Sequence, residues 1–318
     1  MSTSISLIVP VLNEADSIRA LIDSIARQTL QPDEIIFVDG GSTDETISII
    51  EEAARQDPRI KLIETGGATP GKGRNVGIAA AGHEWIALTD AGIEPEDNWL
   101  AELCTASADV DIVYGNYAPK IRNSFDKSAL IAYVPPKRAG IRGKSIASYL
   151  MKKAVWAQVG GFPDLRAAED LIFMERAEAA GFGTAEAPNG LVHWHLRPDW
   201  TSTFAKFTLY SRHNVWAGRQ WDWHYGVAKQ YLGLVPFVIL AIWHSLWWLL
   251  AVPAWLAART AKRIVSHRYE FSWKPLIDPF TVARVAGLIL VIDAATFLGW
   301  LQALVGCRDR VMDQLRGD

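Results

Sequence analysis

The sequence predicts an α/β domain built on a mainly parallel sheet flanked by helices, followed by a hydrophobic helical end. Three observations carry this. Short apolar runs alternate with helical periodicity through the first 115 residues; acidic or glycine-rich turns close those runs; and composition changes near residue 190, beyond which 11 of the 14 Trp lie. Apolar runs that do not alternate with polar residues are strands covered on both faces, as in a parallel sheet between helical layers.

Residues 5–9 form the first such run, and Asn13 is placed to cap a helix that carries Ile18, Leu21, Ile22 and Ile25 on one face. Residues 35–38 repeat the pattern, with Ser42-Thr43-Asp44 opening a helix through Ile47, Ile50 and Ala54. A third strand is expected at 59–63, a small-residue helix around 77–81, and a fourth strand at 85–89 that ends on Asp90. Residues 112–114 continue the sheet. Residues 116–145 hold seven Lys or Arg, Pro135-Pro136 and few periodic apolar positions, which reads as a long mobile loop. In sheets of this kind ligands gather at the carboxyl ends of the strands, where Asp39 and Asp90 fall.

The charge balance excludes some classes. Net charge is −3, and no basic run interleaved with aromatics occurs in the N-terminal part, so nucleic acid is not expected as a partner. Cys104 and Cys307 are too few and too far apart for a disulfide framework or a thiolate metal site. The first 15 residues lack the basic and apolar regions of a signal peptide, so the N-terminal domain is expected in the cytoplasm.

Residues 230–258 contain no Asp, Glu, Lys or Arg. As one helix, residues 232–256 would reach about 37 Å at 1.5 Å per residue, enough to cross a hydrocarbon core of about 30 Å. Residues 285–305 are a second apolar segment, containing Asp293 and flanked by Arg284 and by Arg308 and Arg310. A membrane is the expected partner; a buried soluble helix pair would need an extra core that the rest of the chain does not supply. If both segments span from a cytoplasmic domain, Arg259, Lys262, Arg263, Arg268 and Lys274 fall outside, against the positive-inside tendency. Pro236 and Pro253 offer another solution, a re-entrant or interfacial hairpin with residues 259–269 on anionic headgroups.

Four stretches in fixed order carry the chemistry: LIVPVLNE, FVDGGSTD, LTDAG and GGFPDLRAAED. A carboxylate at a strand end accepts hydrogen bonds from imide or hydroxyl donors, and the glycines after it let backbone approach a ligand. GGATPGKGRNVG, at 66–77, adds Lys72 and Arg74 on a flexible glycine loop ahead of a helix, a place for anion contact. It is not a P-loop, because Gly73 follows Lys72.

Together these stretches resemble the inverting family 2 glycosyltransferases of GT-A fold, over about residues 4–225. The resemblance implies a nucleotide diphosphate sugar donor, with Pro10, Asn13, Glu14, Asp39 and Gly41 at the nucleoside and Lys72, Arg74 and Arg197 toward the nucleotide or its diphosphate. It implies a divalent cation, Mg²⁺ or Mn²⁺, at Asp90. Here the motif is a TDAG variant, with Gly92 where many relatives carry a second acid. His193, or else His195, in LVHWHLRPDW after an apparent last strand, takes the position of a further metal ligand; Arg212 and His213 are weaker candidates than Arg197 for the diphosphate. Asp170 is implied as the base that deprotonates the acceptor hydroxyl, with Glu169 positioning acceptor or loop; adjacent carboxylates at a helix start also suit the helix dipole.

The Gln-x-x-Arg-Trp signature of processive synthases is absent, so transfer of one sugar is expected. Residues 1–225 are expected as the catalytic domain, divided into a nucleotide-sugar half (1–115) and an acceptor half (116–225, with its loop at 116–145). Residues 226–318 are expected as a membrane-associated region beside a lipid-linked or other saccharide acceptor, on the cytoplasmic side of the cell membrane. Two alternatives stand. A sugar-phosphate nucleotidyltransferase needs a different glycine-rich entry from LIVPVLNE; a catalytically degenerate nucleotide-binding scaffold is motivated by the missing second acid.

Overall fold

The computed structural model describes residues 4–138 and 140–305; Cys307, Arg308 and Arg310 lie outside them. By their contacts these residues divide into two units, Met1–Lys120 with Arg138–His195, and Ile121–Lys137 with Leu196–Asp318. The line falls at His195 within the expected 1–225 region, because two helices there, Ser124–Tyr133 and Trp200–Trp216, pack with Pro279–Val305.

The first unit is the expected α/β layer structure. Strands β1 (Ile5–Val11), β2 (Glu34–Asp39), β3 (Ile60–Glu64), β4 (Trp85–Leu88), β5 (Ile93–Pro95), β6 (Ile112–Lys120), β7 (Tyr149–Lys152) and β8 (Thr184–His195) form one sheet in the order β3-β2-β1-β4-β7-β6-β8-β5. The run β3-β2-β1-β4 is parallel, and β7 and β5 run against the other strands. The helices in chain order are α1 (Ala15–Ala26), α2 (Thr46–Gln56), α3 (Pro70–Ala80), α4 (Trp99–Thr105), α5 (Ser124–Tyr133, in the second unit), α6 (Lys153–Val159) and α7 (Glu169–Ala179).

Side-chain alternation along the strands feeds two cores. Leu7, Val9, Ile35 and Phe37 face α1, α2 and α4 through Ile18, Leu21, Ile50 and Trp99, all buried. Ile8, Ile36, Val38, Ile86 and Leu88 face the opposite layer, made by Ile78 of α3, Val155 of α6 and Phe173 of α7. Connections from β1 lead to β2 and β3 on one side and to β4 on the other, so the strand order reverses at β1 and β4. A crevice at the carboxyl ends follows from that reversal.

Three local expectations change. Asn13 does not cap α1. It sits at φ 54, a left-handed conformation that Asn tolerates, and its Oδ1 accepts from Thr43 N–H at 2.8 Å; Glu14 holds the cap position instead. Residues 116–145 are not one loop: β6 extends to Lys120, and α5 is nucleated by Asn123, whose side chain accepts from Phe125 N–H and Asp126 N–H. His193 and His195 lie within β8 rather than after the last strand.

The second unit holds α5, α8 (Trp200–Trp216), α9 (Gln220–Trp223), α10 (Tyr225–Leu232), α11 (Val235–Trp243), α12 (Ala251–Ser266), α13 (Arg268–Phe271), α14 (Lys274–Ile277) and α15 (Pro279–Val305). α8 starts at Asp199, whose carboxylate accepts from Ser202 N–H at 2.7 Å. The continuous helix expected over 232–256 does not form. α11 stops at His244, Ser245 is extended, and a 3₁₀ turn at Leu246–Leu250 precedes α12. Pro236 and Pro253 each fall in a first helical turn, where the missing N–H costs nothing, so they start helices and do not kink one. Tyr225–Trp243 and Pro279–Val305 are each long and apolar enough to cross a membrane.

One close approach sets the α3 layer. A Cβ at Gly77 would lie 2.4 Å from Ile8 Cγ2 and 3.0 Å from Val38 Cγ2. Gly77→Ala is expected to destabilise the protein by about 1–3 kcal/mol through overpacking, read as a lower urea midpoint. An unchanged midpoint would mean that α3 is free to move off the sheet.

Candidate active site

Three of the four motif stretches end at neighbouring parallel strands. β1 runs into Leu12-Asn13-Glu14, β2 into Gly40-Gly41-Ser42, and β4 into Thr89-Asp90-Ala91. The first two loops are sewn together: Asn13 N–H donates to Ser42 Oγ at 2.9 Å and Glu14 N–H to Thr46 Oγ1 at 2.8 Å. Pro10 lies in register with Val38, and its Cβ would be 3.3 Å from a Cβ placed on Gly73.

Asp39 is buried at the end of β2. Its Oδ2 accepts from Gly41 N–H at 2.7 Å and from Ser42 N–H at 3.0 Å. Gly41 has φ +99, a conformation that favours glycine, and it lets both N–H groups turn back to the carboxylate. Asp39 therefore builds the turn in addition to the nucleoside contact expected of it. Glu14 is half-buried, bonded to Ser17 Oγ, and its Oε2 would be 3.8 Å from a Cβ on Gly92, so the loops after β1 and β4 face each other.

The centre of the site is Arg74. The flexible loop expected around it is instead the first turns of α3, with Thr69 capping Lys72 N–H at 3.2 Å and Pro70 at the helix start. Gly71 serves closeness, since a Cβ there would lie 2.1 Å from Pro163 O. Lys72 is exposed, whereas the Arg74 side chain is 4% exposed. Its Nη2 donates to Asp90 Oδ1 at 2.6 Å and its Nη1 to Glu169 Oε1 at 2.7 Å. The guanidinium lies over the Phe162 ring, 5.6 Å from its centroid, and Phe162 stacks on Phe173 at 3.9 Å.

Glu169 and Asp170 lead α7. Ala168 before them has φ 70, a left-handed value that costs a non-glycine residue about 1–3 kcal/mol and marks an imposed turn. Asp170 Oδ1 accepts from Leu171 N–H at 2.8 Å, and Glu169 Oε2 is buried with no hydrogen-bond partner among the described residues. Burial would lower the Arg74 pKa, but Asp90, Glu169 and Asp170 outweigh it and raise the group above its ordinary value. Burial pushes both the Glu169 and Asp170 carboxyls up, against the pull of Arg74. One cation among three carboxylates leaves a surplus of negative charge, and a proton or a further cation relieves it.

Sequence reasoning missed the residues that dock α3 on the GGFP turn. Asn75 donates to Phe162 O at 2.8 Å and accepts from Phe162 N–H at 2.8 Å and Trp156 Nε1 at 2.9 Å. Thr69 Oγ1 bonds Asp164. The only signal was position: Thr69 and Asn75 flank Lys72 and Arg74.

The metal expectation divides. Asp90 is 42% exposed, and its second oxygen has no partner among the described residues. One free carboxylate oxygen fits a Mg²⁺-like ion, which is held by one or two carboxylates plus substrate phosphates. His193 is bonded through Nε2 to Glu96 at 2.9 Å, and His195 to Glu94 at 3.2 Å, with Lys120 also on Glu94. Among the described residues no group of three or more His, Cys, Asp or Glu is arranged to hold a metal ion. Arg197 is exposed in the loop between β8 and α8, and Arg212 and His213 lie on α8; all three are in the second unit.

The family model described as Glycosyl transferase family 2 matches residues 6–156, a stretch that includes the ends of β1, β2 and β4. Residues 6–156 are similar to a family 2 glycosyltransferase domain. The chain is 35% identical over 122 residues to glycosyltransferase GlyG of Streptococcus pneumoniae serotype 4 (strain ATCC BAA-334 / TIGR4), covering 37% of this chain and 40% of GlyG. It is 31% identical over 210 residues to EpsH of Bacillus subtilis (strain 168), covering 61% of each. The chain thus spans less than two thirds of the length of either relative. Its fold is similar to that of the mannosyltransferase PcManGT from Pyrobaculum calidifontis, in complex with GDP-Man and Mn²⁺, with a TM-score of 0.57 at 19% identity over 96% of this chain and 88% of that one. Staphylococcus aureus TarS 1-349, in complex with UDP-GlcNAc, has a TM-score of 0.50 at 16% identity, covering 93% and 92%.

Removing one member of a buried charge cluster strands the others, at about 3–5 kcal/mol. Arg74→Leu is expected to lose about that much stability to denaturant, and Arg74→Leu with Glu169→Gln to recover part of it. A double variant no better than the sum of its single variants would show that the two groups are not energetically linked.

Proposed function

We propose that the protein is an inverting glycosyltransferase that moves one sugar from a nucleotide diphosphate sugar to a saccharide acceptor, lipid-linked and met at a membrane. The observation that carries this reading is the convergence on Arg74. A strand-end acid from LTDAG and Glu169 of the acidic pair from GGFPDLRAAED, about 80 residues apart, are tied by one buried guanidinium, with Asp170 next in the chain. A donor-side group and an acceptor-side base must be held at a fixed separation for in-line displacement, and this linkage supplies it.

In this reading the donor lies across the carboxyl ends of β1, β2 and β4. Pro10, Asn13, Glu14, Asp39 and Gly41 line the nucleoside end, with Lys72 exposed nearby in sequence on α3. The diphosphate lies toward Asp90, whose free oxygen would share a Mg²⁺ or Mn²⁺ ion with it; when bound, that ion neutralises charge on the departing diphosphate. The GDP-Man and Mn²⁺ complex of PcManGT supports a donor and cation of these classes.

Asp170 takes the proton of the acceptor hydroxyl as its oxygen attacks the anomeric carbon from the face opposite the diphosphate. The new bond forms as the bond to the diphosphate oxygen breaks, which inverts the anomeric centre. Glu169, held by Arg74, has its second oxygen buried and unpartnered among the described residues, ready to accept from a substrate hydroxyl. Residues 1–225 act as the catalytic part and 226–318 as the membrane-associated part, on the cytoplasmic side, which concentrates a lipid-linked acceptor at the site.

Asp170→Asn is expected to lower transfer about 10²- to 10⁴-fold while donor binding, measured calorimetrically, stays within a few-fold. Transfer surviving at the wild-type rate would remove Asp170 from the role of base. Chelation of divalent ions is expected to abolish turnover and weaken donor binding, with Mn²⁺ restoring both; full activity in chelator would remove the cation from the account.

A further inference from the structure

We infer that the charge-free segment does not span the membrane but enters one leaflet as a hairpin and returns. The inference rests on the membrane reading proposed above and adds its topology.

The geometry lies wholly within the second unit. Tyr231, near the end of α10, and Trp255, in α12, are in ring contact with centroids 5.0 Å apart. Below them Asp293 of α15, 3% exposed, accepts from Tyr231 OH at 2.9 Å and is paired with Arg259, whose guanidinium lies over Trp255 at 4.8 Å. The two arms are therefore fastened at their base, and residues 232–254 form a closed excursion. Its apex is fixed by local bonds: His244 N–H and Ser245 N–H both donate to Leu240 O, and the Phe237 and Trp248 rings lie 6.1 Å apart.

The excursion has the surface of a lipid-inserted element. Leu232, Val235, Val238, Ile239, Ile242 and Trp243 on the outgoing arm are exposed, as are Leu246, Trp247 and Leu250 beyond the turn. By length alone Tyr225–Trp243 could cross, but Tyr231 is held at the base by Asp293 and Trp255; residues 232–243 beyond it reach about 18 Å as a helix, more than half of a hydrocarbon core of about 30 Å and too little to cross it. Lys229 precedes the stretch on one arm, and Lys262 and Arg263 follow it on the other, all exposed. A hairpin sets these cations on one face, where anionic headgroups meet them; a spanning segment would set them on opposite faces. The fold thereby removes the charge conflict that two spans create. α15, the second apolar segment, is packed on α5, α8 and α12 and contributes many buried side chains to this unit.

Site-directed labelling tests this. Full-length protein with Cys104→Ser and Cys307→Ser, carrying one new cysteine at Asp222, Lys262 or Trp247, is expressed in a bacterial host. Intact spheroplasts and inverted membrane vesicles are then treated with a membrane-impermeant maleimide. Asp222→Cys and Lys262→Cys are expected to react in the same preparation, and Trp247→Cys in neither. Labelling of Asp222→Cys and Lys262→Cys in opposite preparations would overturn the hairpin and leave membrane association standing. Protein found in the soluble fraction, or a lipid-free dimer that does not bind vesicles of phosphatidylcholine and phosphatidylglycerol, would overturn both. Trp247→Glu with Leu250→Glu is expected to abolish vesicle recovery without loss of donor binding; recovery unchanged would overturn the hairpin as the docking element.

Discussion

A buried guanidinium surrounded by carboxylates is the constraint from which the rest of the first unit follows. Placing Arg74 under the strand ends is costly unless its donors are paired, and Asp90 and Glu169 pair two of them. The pairing fixes α3 against the loop after β4 and against the start of α7 at once. It also explains the small residues of α3: Gly71, Gly73 and Gly77 let the helix sit close enough to Pro163, Pro10 and Ile8 for the guanidinium to reach both acids. Phe162 and Phe173 close the cluster from beneath and keep water from competing for those hydrogen bonds.

The same cluster sets the chemistry. Three carboxylates share one cation, so the charge is unbalanced before any substrate arrives. Burial and mutual repulsion hold Glu169 and Asp170 above the ordinary carboxyl range, which makes each a better proton acceptor once ionised. Asp90 is the exposed member, and a divalent ion carried in with a diphosphate would balance the surplus. In the proposed reading Arg74 acts through the acids it holds, as a positioning residue.

Much of this was legible in the sequence because it is written in periodicity and strand-end chemistry. The four parallel strands and the ends of β2 and β4 at Asp39 and Asp90 could be read from apolar runs, and the family resemblance from the order of four motifs. What was not legible depends on contacts between distant residues. That Arg74 is buried and not on a mobile loop follows from Pro163 and Glu169, about 90 residues away. α5 was hidden because its apolar positions do not repeat regularly and its start rests on one Asn123 cap. The break at Ser245 was masked by a uniformly apolar composition, which fits a continuous helix and a hairpin equally well; the Tyr231–Trp255 contact and the Arg259–Asp293 pair distinguish them.

The central claim is that Arg74 tunes the base it does not touch directly. The most direct measurement is the pH dependence of kcat/KM for sugar transfer in the wild type and in Arg74→Gln. Arg74 lowers the Asp170 pKa against the effect of burial, so removing its charge must raise that pKa and keep the base protonated to higher pH. The account predicts an acid limb displaced upward in Arg74→Gln, with the wild-type limb already above that of an ordinary aspartate. An acid limb at the same pH in both proteins, or one displaced downward, would contradict it.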